Sequence, residues 1–156
     1  MDDRISIDEM MLEICDVVAK RSSCIKSQVG CVLVKEGRII SSGYNGTLPK
    51  FSHCEKPEDC SRWNVPSGTK YEIGDCQHAE NNAILQAAKN GISTAGAELY
   101  VNKGCCRMCA RNIISAGIKK VVYEKVDYDG IELLIKAGIQ VVKYQRRKDV
   151  NTEAGV

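Results

Sequence analysis

The chain has 156 residues, 44% hydrophobic and 27% charged, which is the length and balance of one ordinary domain with its own core. A net charge of +2, with only six Tyr, one Trp and one Phe, excludes the basic footprint of a duplex-DNA binder and a stacked aromatic platform for single strands. No apolar run approaches the roughly 20 residues that cross a bilayer. The acidic opening MDDRISIDEMM also lacks the basic start and apolar core of a secretory signal, so the expectation is a cytoplasmic protein away from membranes.

In chain order, Ile7, Met10, Met11, Ile14, Val17 and Val18 recur at helical spacing and predict a helix over 7–20, with Asp8 placed well for its dipole. VGCVLV (29–34) and RIISSGYN (38–45) flank Glu36-Gly37 and predict a hairpin. Residues 46–75 show no periodicity, yet hold all three prolines, Trp63, Cys54 and Cys60, with Cys76 just beyond. A loop that long inside a compact domain is expected to be functional or tied down. Helices over 78–91, 106–116 and 129–138, ended by Gly91, Gly117 and Gly138, then alternate with strands over 97–103, 119–125 and 139–144. This alternation predicts an α/β fold: a mixed sheet covered by helices on both faces. Residues 1–145 form a single domain, with 46–76 as an insertion loop and 146–156 as a polar tail.

Nine cysteines are an odd number, and in a reducing compartment clustered cysteines bind metal or do chemistry. Two elements stand out. His78-Ala79-Glu80 opens one helix, and Cys106-Arg107-Met108-Cys109 opens the next. A catalytic zinc takes three protein ligands and leaves the fourth position to water. Thiolates at i and i+3 of a helix N-terminus can reach one ion, and the helix dipole favours their ionised form. His78, Cys106 and Cys109 are therefore the expected ligands. Glu80 stands two residues from His78 as a non-ligand proton shuttle. H-x-E followed by C-x-x-C in this context is the signature of zinc deaminases. Proline ordinarily precedes the first cysteine and stiffens the turn; here Cys105 takes its place. Cys105 is also a competing ligand, although the spacing favours Cys106.

Beyond the motif, AKRSSCIKSQVGCVLVKEGRIISSGYNG (19–46), HAENNAI (78–84), GAELYVNKGCCRMCARNIISAGIKKVVYEK (96–125) and AGIQV (137–141) resemble deoxycytidylate (dCMP) deaminases. The resemblance implies a three-layer αβα cytidine-deaminase-like fold with a five-stranded sheet, and conversion of dCMP to dUMP and ammonia. It implies Asn45 at the sugar, Ala79 against the pyrimidine, Tyr123 as a pocket wall and Lys26 as a candidate phosphate contact. It further implies a homo-oligomer, often a hexamer, with dCTP and dTTP as effectors bound near the GYNG turn. Some relatives carry a second, structural zinc. Cys24 and Cys54 match its positions, and Cys60 and Cys76 lie in and at the end of the same loop, with His53 as a rival ligand. Cys15 and Cys31 are expected in the core. A tRNA adenosine or riboflavin-pathway deaminase of the same fold, and a non-catalytic zinc adaptor, are the competing readings.

Overall fold

The computed structural model describes residues 3–146. Helix α1 (Ile7–Ala19) starts at Ser6, whose Oγ accepts from the Glu9 amide at 3.1 Å, with Asp8 and Glu9 in its first turn. Its buried stripe is Met11, Leu12, Cys15 and Ala19, whereas Ile7, Met10 and Val17 face outward. The periodicity is helical as expected, but the face toward the sheet is rotated from the one those residues suggest. A lone helix on one side of a sheet needs only a narrow apolar stripe.

Strands β1 (Gly30–Lys35) and β2 (Arg38–Tyr44) form the expected hairpin. Glu36 (φ 51°) and Gly37 (φ 74°) both occupy left-handed backbone, the conformation of a two-residue turn whose twist matches its strands. Strands β5 (Glu98–Val101), β6 (Lys120–Tyr123) and β7 (Gln140–Lys143) complete a five-stranded sheet in the order β2-β1-β5-β6-β7. The β1 strand runs antiparallel to both β2 and β5, while β5, β6 and β7 are parallel, so the sheet is mixed. Its central strands are buried on both faces, which is why β1 reads as an unbroken apolar run.

Helix α1 covers one face with Val32, Val34, Tyr100 and Val122 beneath it. Helices α2 (Ala79–Lys89), α3 (Arg107–Ser115) and α4 (Gly130–Lys136) cover the other, over Cys31, Leu33, Leu99, Val101 and Val121. The result is the expected three-layer α/β/α arrangement. Cys15 and Cys31 are fully buried, one on each side. None of the helices among the described residues is long and apolar enough to cross a membrane.

The segment 46–75 is less irregular than its sequence suggests. Strands β3 (Gly46–Thr47) and β4 (Cys76–Gln77) pair antiparallel and clasp its base, and short 3-10 turns occupy Pro57–Asp59 and Tyr71–Ile73. Two-residue strands are too short to produce a readable alternation. Residues 147–156 of the expected tail lie outside the described residues. Arg146 lies within them, and its guanidinium grips Glu124 (2.6 and 2.7 Å) and Asp16 (2.7 Å).

Gly43 sets the distance between β2 and α2. A Cβ there would overlap Ala79 O and Ala83 N of the helix backbone, which cannot move independently of His78. Gly43→Ala is expected to lower stability by about 3 kcal/mol through overpacking. Urea unfolding measures that loss, and metal titration should show weaker zinc binding in the same variant.

Candidate metal centre

The parallel strand β5 delivers the chain to Gly104–Cys106 at its carboxyl end, the place where open α/β sheets put their ligand sites. Cys106 caps α3: its backbone is extended (φ −75°, ψ 166°), and its Sγ accepts from the Cys109 amide at 3.5 Å. Across from it, His78 is the capping residue of α2 (φ −75°, ψ 156°), and Glu80 lies in the first turn. The His78 Nδ1 atom is 3.5 Å from Cys106 Sγ and 3.3 Å from Cys109 Sγ. These three ligand atoms lie within 4.8 Å of one another, and among the described residues no other three His, Cys, Asp or Glu side chains come so close. Two thiols and one imidazole nitrogen, held at two helix N-termini, fit a zinc site with one position left open.

The local electrostatics suit a cation. The hydrogen bond from Cys109, reinforced by His78, holds the Cys106 thiol well below the ordinary thiol range. Burial pulls the His78 imidazole down, but the hydrogen bond to Cys106 and the charge of Glu80 outweigh it and leave His78 above its usual value. Glu80 is 4% exposed, and burial pushes its carboxyl up to about 7 against the pull of His78.

Cys105 stands outside that cluster: its side chain is fully buried in the core. The turn that proline would stiffen is held by its neighbours instead. The Gly104 amide donates to Val126 O at 3.0 Å, and the Arg107 amide donates to Asp129 Oδ1 at 2.9 Å. Gly130 packs so closely that a Cβ would overlap the carbonyl oxygens of Cys105 and Cys106. Asp129 was not legible as a site residue, because Asp129-Gly130 reads locally as the start of α4.

A cavity of about 370 Å³ opens from the ligands toward segment 46–75. Tyr71 stands over His78 edge to face, with ring centroids 4.9 Å apart, and the Arg62 guanidinium carbon lies 4.8 Å from the Tyr71 centroid. Arg62, Tyr71, Lys103 and Tyr128 line the cavity, and none was expected from the sequence. Arg62, Tyr71 and Tyr128 sit in segments without periodicity or motif, Lys103 ends the strand expected over 97–103, and only the fold brings them to the ligands.

A family model described as the cytidine and deoxycytidylate deaminase zinc-binding region matches residues 5–125. The deoxycytidylate deaminase of Schizosaccharomyces pombe is 38% identical over 146 residues, covering 90% of this chain and 45% of that one. The deoxycytidylate deaminase of Enterobacteria phage T2 is 34% identical over 172 residues, covering 84% of this chain and 88% of that one. The crystal structure of dCMP deaminase from cyanophage S-TIM5 in complex with dCMP and dUMP superposes with a TM-score of 0.74 at 29% identity, over 92% of this chain and 100% of that one. The chain spans about half the length of the two yeast deoxycytidylate deaminases it matches. It belongs to the cytidine and deoxycytidylate deaminase family.

Ala79, Asn45 and Lys26 all line the cavity. The Asn45 side chain is spent on the chain itself: Oδ1 accepts from Ser22 Oγ (2.7 Å) and the Val29 amide (2.8 Å), and Nδ2 donates to Ser27 O (2.7 Å). Tyr123 does not line the cavity. Its ring is buried in the core and its hydroxyl donates to Asp127 Oδ1 at 2.6 Å, so the aromatic wall of the cavity comes from Tyr71 and Tyr128. Cys24, Cys54, Cys60 and Cys76 share the cavity wall, with Cys54 beside Cys60 and its thiol donating to Asp59 O at 3.3 Å. No three of these four sulfurs lie within 4.8 Å of one another among the described residues. His53, the rival ligand, has its Nδ1 2.8 Å from Thr47 Oγ1.

The ligand register is testable by metal content. Cys106→Ser is expected to lose the catalytic zinc, whereas Cys105→Ala keeps it and loses only core packing. Elemental analysis of the two purified variants reads the difference directly.

Proposed function

We propose that this chain is a zinc-dependent deoxycytidylate deaminase that converts dCMP and water to dUMP and ammonia. The observation that carries the reading is the buried Glu80 carboxyl beside the His78, Cys106 and Cys109 cluster at the floor of a nucleotide-sized cavity. Full-length likeness to phage deoxycytidylate deaminases supports the choice of substrate. A tRNA deaminase would call for a more basic surface than a net charge of +2 supplies.

Zinc held by His78 Nδ1, Cys106 Sγ and Cys109 Sγ would lower the pKa of a water at the open position toward neutrality and make it a nucleophile. The chain's own groups do the rest. A Glu80 oxygen accepts the proton that the attacking water loses and delivers it to the pyrimidine ring nitrogen. It then takes the remaining proton from the hydroxyl added to the ring carbon and passes it to the amino group, so that the carbonyl forms as the carbon–nitrogen bond breaks and ammonia leaves. Ala79 lies against the base and offers its backbone to the base edge. Asn45 shapes the sugar pocket by fastening residues 22–29, and Lys26 stands on the side where a phosphate would lie.

Cys24, Cys54, Cys60 and Cys76 form a second, structural zinc set in this reading, and the ion would draw their sulfurs together and staple segment 46–76 to the core. The enzyme works as a cytoplasmic homo-oligomer, a hexamer in the family pattern, activated by dCTP and inhibited by dTTP.

Ammonia release from dCMP, CMP, cytidine and adenosine-containing tRNA separates the substrates; no turnover of dCMP sinks the proposal. Glu80→Gln is expected to keep zinc and fold but to lose kcat by roughly 1000-fold or more. A non-catalytic zinc adaptor would be indifferent to that change. Elemental analysis should find two zincs per chain in the wild type and one in a Cys54→Ser variant; a single zinc in the wild type removes the structural site alone.

A further inference from the structure

The cavity has a cationic side one ring away from the metal ligands. Arg62, Lys26 and Lys103 all line it, and hydrogen bonds join their segments. Lys103 Nζ donates to Ser27 Oγ, the neighbour of Lys26. Lys26 Nζ donates to Arg62 O at 3.0 Å and to Val65 O at 2.5 Å. The ammonium of Lys26 is therefore largely committed to the backbone that carries Arg62.

Arg62 is differently placed. Its guanidinium donates once, from Nη2 to Thr69 O at 2.5 Å, and lies on the Tyr71 ring. Its Nε is buried and has no hydrogen-bond partner, the only buried side-chain nitrogen or oxygen in that condition among the described residues. Arg62 also has no carboxylate partner among them. Asp59, on the same cavity, spends its Oδ2 on the Glu55 and Lys56 amides. A buried donor without an acceptor is costly, and a planar guanidinium with Nε free is suited to a doubly accepting oxyanion.

We propose that Arg62 is the anchor for the 5′-phosphate of the nucleotide, and that Lys26 is a positioning residue that fixes the Arg62 segment. The assignment rests on the deaminase reading for the identity of the nucleotide. It divides the two cations by what their donors already do: Lys26 is occupied, while Arg62 has a buried donor in reserve. It also gives segment 46–75 a role in choosing nucleotides over nucleosides.

Calorimetric titration of the zinc-loaded protein with dUMP and with deoxyuridine tests this without relying on turnover. The wild type should prefer dUMP. Arg62→Met should weaken dUMP binding by roughly 10–100-fold, the span expected for charge-assisted hydrogen bonds, with deoxyuridine affinity and zinc content unchanged. Lys26→Met should weaken dUMP less than Arg62→Met does. Arg62→Lys keeps the charge but loses the planar fork and should fall between wild type and Arg62→Met; it decides the matter if Arg62→Met loses its zinc. The proposal is overturned by a wild type without preference for dUMP, by equal losses for both ligands, by a larger loss in Lys26→Met, or by full preference in Arg62→Met. A protein that prefers dUMP through Arg62 yet leaves dCMP intact would sink the deaminase reading and keep the phosphate anchor. Turnover of dCMP with a preference indifferent to Arg62 would do the reverse.

Discussion

The hydrogen bond from Asn112 Nδ2 to Asn81 Oδ1, 2.9 Å long, ties α3 to α2 next to the ligands. Asn81 follows Glu80 in the first turn of α2, and its own Nδ2 donates to Gln77 Oε1 at 3.3 Å, just before His78. Asn112 stands one turn beyond Cys109 in α3. The bond thus fixes the relative height of two helices whose starting residues must meet within a few ångströms. A three-ligand zinc site tolerates little misplacement, because ligand distances and open geometry both decide what the metal does. Gly43 on the β2 side and Gly130 on the α4 side complete the confinement, each by allowing backbone to approach backbone where a Cβ would not fit.

That confinement explains how several acidic groups coexist in one buried place. Two thiols and a carboxyl converge at Cys106, Cys109 and Glu80, all buried. Without compensation, burial would keep all three neutral. The helix N-termini supply partial positive charge, and the Cys109 amide donates to Cys106 Sγ. His78 Nδ1 stands beside both sulfurs, and a divalent cation would supply the remaining charge. Asp129 completes the device from outside, taking the Arg107 amide at the start of α3.

The parts of this centre that lie close in sequence could be read from it. His78-x-Glu80 and Cys106-x-x-Cys109 are local patterns whose spacing already encodes the geometry of a helix start. The order of helices and strands was equally legible, since apolar periodicity survives in single segments. What escaped reading depends on contacts made across the chain. Asn81, Asn112 and Asp129 are ordinary polar residues until α2, α3 and α4 pack together. Tyr123 looked like a pocket wall, but its place in β6 turns it into the core, and Tyr71 and Tyr128 from loops take that role. The outward-facing Ile7 and Val17 show the same limit in α1, where the spacing defines a helix but not which face meets the sheet.

The molecule separates its chemistry from its choice of ligand. The metal ligands and Glu80 stand on regular elements clamped to a rigid sheet, where positional error is smallest. The other side of the cavity is built from segment 46–75, closed at its base by the two-residue strands β3 and β4 and held against residues 22–29 through Lys26 and Asn45. Loops carry variable recognition at little cost to the scaffold. Tyr71 is where the two halves meet: its ring stands edge to face with His78 and lies against the Arg62 guanidinium. A ligand that engaged Arg62 would therefore stand one aromatic ring away from His78.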